Sequence, residues 1–234
     1  MRQLTSLLFL ALIASIGEQA TAKSTTLAGS SIACQAQKAQ TVHATGETNL
    51  YLAGAVPEVN GQVVFQQVYA VPGKTRDAIF NELKQYLDQV LKRPNALPAS
   101  RITAAETEEG TLAATLHETL WFKRSAWVSD FATIICQLTF EVRDGGYTAT
   151  LRNIRYQYDA LTDAQQDNLL KAEDWITDKE ALTKNGTKLT RVGGKKLRVK
   201  TIDLKTPLFA GAAAAGGATQ SSIVKQYNEH PYPY

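Results

Sequence analysis

Alternating apolar and polar residues mark the longest regular element of the chain, at residues 129–158. Period-two alternation indicates a strand with one buried face, and it places Phe140 on the apolar side and Glu141 on the other. Asp144-Gly145-Gly146 follows and supplies the positive φ angles of a tight turn, because glycine has no Cβ. Together with the β-type run 147–158, the pattern predicts a long hairpin at the centre of an antiparallel sheet.

Similar patterns predict the elements that precede this hairpin. A strand is predicted at 62–71, a helix from the N-cap Thr75 to about Lys92, and strands at 100–107 and 111–123. The helix is predicted because its apolar residues recur at intervals of three and four. This apolar stripe consists of Ile79, Leu83, Tyr86, Leu87, Val90 and Leu91.

Glu118 interrupts the inward face of the 111–123 strand, between two apolar residues of the same face. A carboxylate at an inward position requires either a local strand bulge or a partner for its charge. We expect one of these two solutions at Glu118.

After the hairpin, the sequence pattern predicts short helices and a basic segment. A capping-box pattern at 162–165 predicts a short helix, and 172–182 predicts a helical turn with Trp175 and Ile176 facing inward. Residues 184–205 are basic and interrupted by glycine, and a last helix is predicted from Thr206-Pro207 through Ala215, before a loose tail at 218–234. A run of strands with helices on one side predicts an α+β fold.

The N-terminal residues have the form of an export signal. Arg2 precedes an apolar stretch at 7–16 that is too short to cross a bilayer as a helix. Ala20-Thr21-Ala22 fits a small-x-small cleavage pattern, so residues 1–22 are predicted to be removed after Ala22; an uncleaved anchor is the alternative. Residues 23–47 predict a flexible leader, and the mature protein is expected in the periplasm or outer cell envelope, without a membrane span.

Charge and cysteine content say little about the binding partners of the protein or about its cysteine chemistry. With 25 basic and 22 acidic residues, the net charge of +3 does not by itself imply nucleic acid or a membrane surface. An exported chain could join Cys34 and Cys136 in a disulfide, but the apolar strand position of Cys136 favours a buried free thiol. A lipid anchor on Cys34 is disfavoured because the residues before it make a poor lipobox.

No known catalytic or metal-binding pattern is present in the sequence. The three histidines, His43, His117 and His230, lack the spacing of a metal site, and neither a nucleophile elbow nor a phosphate loop occurs. The sequence therefore predicts no enzyme and no cofactor. If the chain were an enzyme of unrecognised type, His117, Glu141 and Asp130 on the sheet would be the candidates.

Two surfaces are candidates for binding. The first is the outer face of the sheet, where His117, Trp121 and Phe131 lie; cover by 23–60 or by 159–205 is the alternative. The second is the basic segment 184–205, which could contact acidic polymer or lipid headgroups or could be a solvated loop. Its proposed contacts are Lys195, Lys196, Arg198 and Lys200.

Three separated stretches, 51–75, 175–182 and 200–203, resemble a family of exported Gram-negative proteins. The family is known as domain of unknown function 4468 and has a TBP-like fold. The resemblance covers about residues 50–210 and implies a curved antiparallel sheet with helices on one face, and it implies no function. We expect the domain at 48–210, with a helical and basic insertion at about 159–205, followed by a low-complexity tail at 211–234.

We therefore expect a non-enzymatic module that binds an envelope protein, a glycan or a lipid, and no nucleic acid. An enzyme that uses the exposed sheet face is one alternative. A structural or assembly protein without a ligand is the other.

Overall fold

The computed structural model describes residues 50–159 and 169–218, and the backbone of Ile223–Gln226. The predicted signal, the leader and the short helix predicted at 162–165 lie outside these residues. In the described part of the chain, no helix has both the length and the apolar character needed to cross a membrane.

The main body of the fold is one antiparallel sheet. Its strand order is β4-β5-β6-β7-β3-β9, β8 pairs with β7, and β1 and β2 form a separate small hairpin. The strands are β1 (Glu58–Val59), β2 (Gln62–Val63), β3 (Phe65–Ala70), β4 (Arg101–Glu106), β5 (Thr111–Arg124), β6 (Ser129–Arg143), β7 (Gly146–Gln157), β8 (Leu170–Lys171) and β9 (Ile223–Gln226). The strands predicted at 100–107 and 111–123 are confirmed, and the single strand predicted at 62–71 is divided into β2 and β3.

The predicted central hairpin is confirmed as β6 and β7. Its turn contains Gly145, whose φ of 73° lies in the left-handed region that glycine adopts without strain. Gly146 is needed for a second reason: a Cβ at this position would collide with the carbonyl oxygen of Tyr69 on the neighbouring strand β3. The absence of a side chain therefore allows β3 to pair closely with β7.

Helix α1 (Arg76–Val90) begins where the sequence predicts. The side chain of Thr75 accepts a hydrogen bond from the backbone N–H of Ala78 at 3.4 Å, as an N-cap does. Phe80, which the predicted stripe omits, is buried with the rest of the helix face, while Tyr86 and Leu91 are only partly buried.

The predicted structure after residue 184 is wrong in two respects. The basic segment is helical from a π-helical turn at Gly193–Arg198, and α3 (Val199–Gly216) follows directly, so Pro207 lies inside the helix and does not start it. The tail boundary at 211 is also wrong, because α3 continues to Gly216 and β9 joins the sheet. The predicted break at Gly216-Gly217 is confirmed, with Gly217 as the C-cap at a φ of 80°.

Shorter helical segments precede the π-helical turn. A 3-10 turn (Ala172–Asp174) and α2 (Asp178–Ala181) confirm the helical character predicted at 172–182. Ile176 is buried as predicted, and Trp175 is half-buried. Gly193 and Gly194 pack against the carbonyl oxygens of this region, where a Cβ would collide with the backbone.

Helices α1 and α3 pack on the face of the sheet that carries its apolar residues, so the α+β class is confirmed. Tyr69 and Tyr147 connect the two layers: their rings stack with centroids 4.8 Å apart. Their hydroxyls donate hydrogen bonds to main-chain carbonyls of α3, at 3.1 Å to Phe209 and at 2.8 Å to Ala212. Cys136 lies in this core as a buried free thiol, whereas Cys34 lies outside the described residues.

Candidate functional site

The outer face of the sheet carries a row of polar side chains that ends in an aromatic pair. Across β5 and β6, Thr115 faces Gln137, His117 faces Ile135, Thr119 faces Thr133, and Trp121 faces Phe131. Phe131 is exposed and the other seven residues are half-buried. In the described part of the chain, this face is therefore accessible over most of its length.

The aromatic pair lies close to the end of the β5–β6 hairpin. The ring centroids of Trp121 and Phe131 are 5.1 Å apart, and the Arg124 guanidinium lies 4.8 Å from the centroid of the Trp121 ring. These two contacts hold an aromatic surface and a cation together at one end of the sheet.

The loop that follows exposes a further aromatic side chain. Trp127 is 95% exposed and Val128 is 45% exposed. The loop is closed by a hydrogen bond of 2.9 Å from the backbone N–H of Ser125 to the carbonyl of Val128. We define the aromatic hairpin end as Trp121, Lys123, Arg124, Trp127, Val128 and Phe131. Sequence reasoning missed Trp127, although an apolar aromatic residue in a short inter-strand loop was a signal it could have used.

The predicted catalytic candidates are not brought together. His117 faces Ile135, whereas Glu141 lies at the other end of the same strand pair, opposite Thr111. Burial, with a smaller contribution from Arg101, lowers the pKa of His117, so its imidazole is neutral at pH 7. The described residues also contain no group of three or more His, Cys, Asp or Glu side chains that could hold a metal ion.

Asp130 and Lys196 are engaged with each other. The Lys196 ammonium lies 2.6 Å from Asp130 Oδ2 and 2.6 Å from the Tyr158 hydroxyl. The hydrogen bond from Lys196 lowers the pKa of Asp130, and the same bond raises the pKa of Lys196. The Lys196 charge therefore connects the π-helical turn to the start of β6.

The prediction that Arg198 contacts a ligand is wrong, because the Arg198 side chain is fully buried. Its guanidinium donates to the carbonyls of Tyr51, Leu52 and Ile176 at 2.6–2.7 Å and to Asp178 Oδ1 at 2.7 Å. Of the four predicted basic contacts, Lys195 is exposed and Lys200 half-buried. The basic segment is thus not one continuous charged surface.

Glu118 has the charge partner expected of it. It is 4% exposed, and its Oε1 lies 3.8 Å from the Arg93 guanidinium. The strand pairing runs without interruption past Glu118, and the irregularity of β5 comes later, between Trp121 and Lys123. Of the two solutions expected for this carboxylate, the structure shows the partner.

An antiparallel sheet with its helices on one face and its other face accessible defines a two-layer α+β domain. The family model described as "Domain of unknown function (DUF4468) with TBP-like fold" matches residues 65–157. A crystal structure of a DUF4468 family protein from Bacteroides ovatus is 34% identical, with a TM-score of 0.63, and the match covers 76% of this chain and 99% of that one. The chain belongs to the DUF4468 family.

A second solved structure is similar in fold. A TBP-like protein from Parabacteroides distasonis is 23% identical with a TM-score of 0.52, and the match covers 70% of this chain and 99% of that one. No curated protein matches the chain.

Proposed function

We propose that the protein is an exported, non-enzymatic binding module of the periplasm or outer cell envelope, and that its aromatic hairpin end contacts lipid headgroups. One observation carries this proposal. Of the four large hydrophobic side chains that are exposed among the described residues, Trp127, Val128 and Phe131 lie at this end. Export would separate the chain from chromosomal DNA, and we expect no nucleic-acid partner.

The chemistry of the aromatic hairpin end suits the boundary between water and lipid. Tryptophan combines an apolar ring with a polar N–H, and it is enriched at headgroup depth. Lys123 and Arg124, both exposed on β5, add cations beside the apolar side chains. A basic residue near an anionic bilayer contributes about 1 kcal/mol of attraction. Apolar insertion and headgroup attraction would therefore act at the same place.

A glycan is the second candidate ligand, because sugars also stack on exposed aromatic rings. The threonine, glutamine and histidine side chains that continue from Trp121 along the outer face could donate and accept hydrogen bonds. Arg124 already lies over the Trp121 ring, which leaves Trp127 as the more accessible platform. Both candidates therefore depend on Trp127, and the choice of probe separates them.

Sedimentation with vesicles tests the lipid proposal. Wild-type protein should sediment with phosphatidylglycerol vesicles at low salt, and its tryptophan emission should shift to shorter wavelength. Trp127→Ala should reduce binding about tenfold or more, which corresponds to about 1.4 kcal/mol. Leu50→Ala is the matched control, since Leu50 is an exposed apolar residue outside the hairpin end.

Three results would contradict the lipid assignment. The first is that the wild-type protein does not bind vesicles at low salt. The second is that Trp127→Ala binds as well as wild type, and the third is that Trp127→Ala and Leu50→Ala lose vesicle binding equally. Binding of a soluble acidic polysaccharide without vesicle binding would favour the glycan candidate.

Export has a separate test. The N-terminal residue of the protein recovered from the cell envelope should be Lys23. Retention of Met1 in that protein, measured by intact mass, would contradict export with cleavage after Ala22.

A further inference from the structure

Glu118 occupies a position where the strand would otherwise carry an apolar residue. Its neighbours on the same face, Leu116 and Leu120, are buried in the core beneath the helices. Because β5 has no irregularity at this point, the carboxylate is directed to the helix-covered side of the sheet. The carboxylate therefore needs partners on that side.

The partners within the protein are incomplete. Glu118 Oε1 is buried and accepts no hydrogen bond from the described residues. The Arg93 guanidinium, at 3.8 Å, is too distant for a direct hydrogen bond. Burial raises the pKa of Glu118, and Arg93 opposes that shift. A buried oxygen that is left unpaired is costly, and such groups concentrate at binding sites.

A cleft opens beside this carboxylate. Its volume is about 360 Å³, and its walls come from the segment after α1, from β5 and from α3. The first wall is fixed to β5 by a hydrogen bond of 2.9 Å from the backbone N–H of Thr119 to the carbonyl of Asn95. The cleft therefore has a defined wall next to Glu118.

The lining of the cleft carries charges of both signs. Lys200 and Asp203 lie on α3, with the ammonium 3.8 Å from Asp203 Oδ2. The other oxygen of Asp203 accepts a hydrogen bond of 2.7 Å from the Tyr51 hydroxyl. Neither Arg93 nor Lys200 donates a side-chain hydrogen bond to another described residue, so both cations have donors for a ligand. Leu204 and Pro207 add apolar surface.

We propose that this cleft binds a compact zwitterion, which carries one ammonium group and one oxyanion. The ammonium donates to the unpaired Oε1 of Glu118, and the oxyanion accepts from Arg93 and Lys200. The carbon skeleton lies against Leu204 and Pro207. A free dipeptide and a phosphoethanolamine group share this chemistry. The cleft shares Trp121 with the aromatic hairpin end, but Trp127, on which the lipid contact proposed above depends, does not line it.

The probes are L-alanyl-L-alanine and O-phosphoethanolamine, titrated separately into ¹⁵N-labelled protein and followed by NMR. At least one of them should shift amide signals near residues 93–97, 118–121 and 200–204 in a saturable manner. N-acetyl-L-alanyl-L-alanine and phosphoglycol should bind at least tenfold more weakly, because each lacks the ammonium. The two arms distinguish a free dipeptide from a phosphoethanolamine source.

Glu118→Gln should weaken binding of the active probe about tenfold or more, because the amide keeps the shape and loses the charge. His117→Gln is the matched control, one residue along the strand and on the opposite face, and Trp127→Ala should also bind normally. The proposal is overturned if neither probe gives saturable shifts in the wild-type protein. The proposal is also overturned if the probes that lack the ammonium bind as tightly as those that carry it, and this test does not depend on whether Glu118→Gln folds. If Glu118→Gln does fold, unchanged affinity for the active probe overturns the proposal too.

Discussion

Arg198 and Asp178 form an ion pair of 2.7 Å in which the arginine side chain is fully buried while the aspartate side chain is 42% exposed. Three further donors of the guanidinium bind main-chain carbonyls, at Tyr51, Leu52 and Ile176. One side chain therefore joins the start of the described domain to the α2 region and to the π-helical turn. The planar fork of arginine suits this task, because it presents several donors in fixed directions.

Arg198→Met should lower the free energy of unfolding by about 3–5 kcal/mol, because it leaves three buried or part-buried main-chain carbonyls without their donor and removes the partner of Asp178. Arg198→Lys should rescue little of this loss, since one ammonium cannot reach all four acceptors. Urea melts of the variants measure the effect. Lys195→Met is the control for loss of a positive charge on an exposed neighbour, and it should cost about 0.5 kcal/mol or less. Similar losses for Arg198→Met and Lys195→Met would show that the Arg198 contacts do not form.

Phe140 and Glu141 test the assignment of the two sheet faces. Phe140 is fully buried and Glu141 is exposed on the neighbouring position of β6. Phe140→Ala should cost about 3–5 kcal/mol through lost burial and the cavity that remains. Glu141→Ala should cost about 0.5 kcal/mol or less. Denaturant melts that gave equal losses would contradict the faces of the central hairpin.

Gly216 tests the packing of α3 on the sheet. A Cβ at this position would lie 2.6 Å from the Tyr147 ring, which its hydroxyl bond to Ala212 holds in place. Gly216→Ala should therefore destabilise the protein by about 1–3 kcal/mol, although alanine is the better helix former by about 1 kcal/mol. Ala214→Gly is the control, because it makes the reverse change at an exposed position of the same helix. It should lower the free energy of unfolding by about 1 kcal/mol through helix propensity alone. Thermal unfolding that showed Gly216→Ala to be more stable than wild type would place α3 elsewhere.

The raised pKa of Glu118 makes a signed prediction about pH. Burial is its main cause, so the folded state keeps a proton that the unfolded chain has already released. Wild-type stability should therefore lose the contribution of this group as pH rises from the ordinary glutamate pKa of 4.5 through the folded value. Glu118→Gln cannot titrate, and its stability relative to wild type should increase over the same interval.

Paired urea melts of wild type and Glu118→Gln from acid to neutral pH measure this difference. The comparison removes the contributions of other carboxylates, such as Asp130, whose lowered pKa acts in the opposite direction. A constant difference across the range, or one that favours wild type as pH rises, would contradict the raised pKa.

The elements that could be predicted are those whose signals are local. Period-two alternation and the Asp144-Gly145-Gly146 turn sufficed for β6 and β7, and the N-cap Thr75 sufficed for the start of α1. The π-helical turn that leads into α3 could not be predicted, because Gly193 and Gly194, judged from the sequence alone, indicate a break between elements. Gly193 and Gly194 are instead required by close contact with backbone that is distant in sequence.

In the candidate site, too, only the residues with a local sequence signal could be predicted. Strand alternation placed Trp121 and Phe131 on the same face, and the structure shows the two rings in contact. The burial of Arg198 has no local signal, since a basic residue in a basic stretch has the same composition whether it is solvated or enclosed. Trp127 was overlooked because it lies between two periodic runs and belongs to neither.

The pairing of β9 with β3 also determines how the sheet ends. A strand at the edge of a sheet offers unpaired N–H and carbonyl groups to any other extended chain, which favours aggregation and strand exchange. β9 occupies those groups on the outer side of β3, opposite Gln67, Val68 and Tyr69. β9 has four residues and β3 has six, so β9 replaces the edge of β3 with a shorter one, which is less favourable for pairing with another chain. A chain shortened before Ile223 would expose β3 as the edge and would be expected to form oligomers through it.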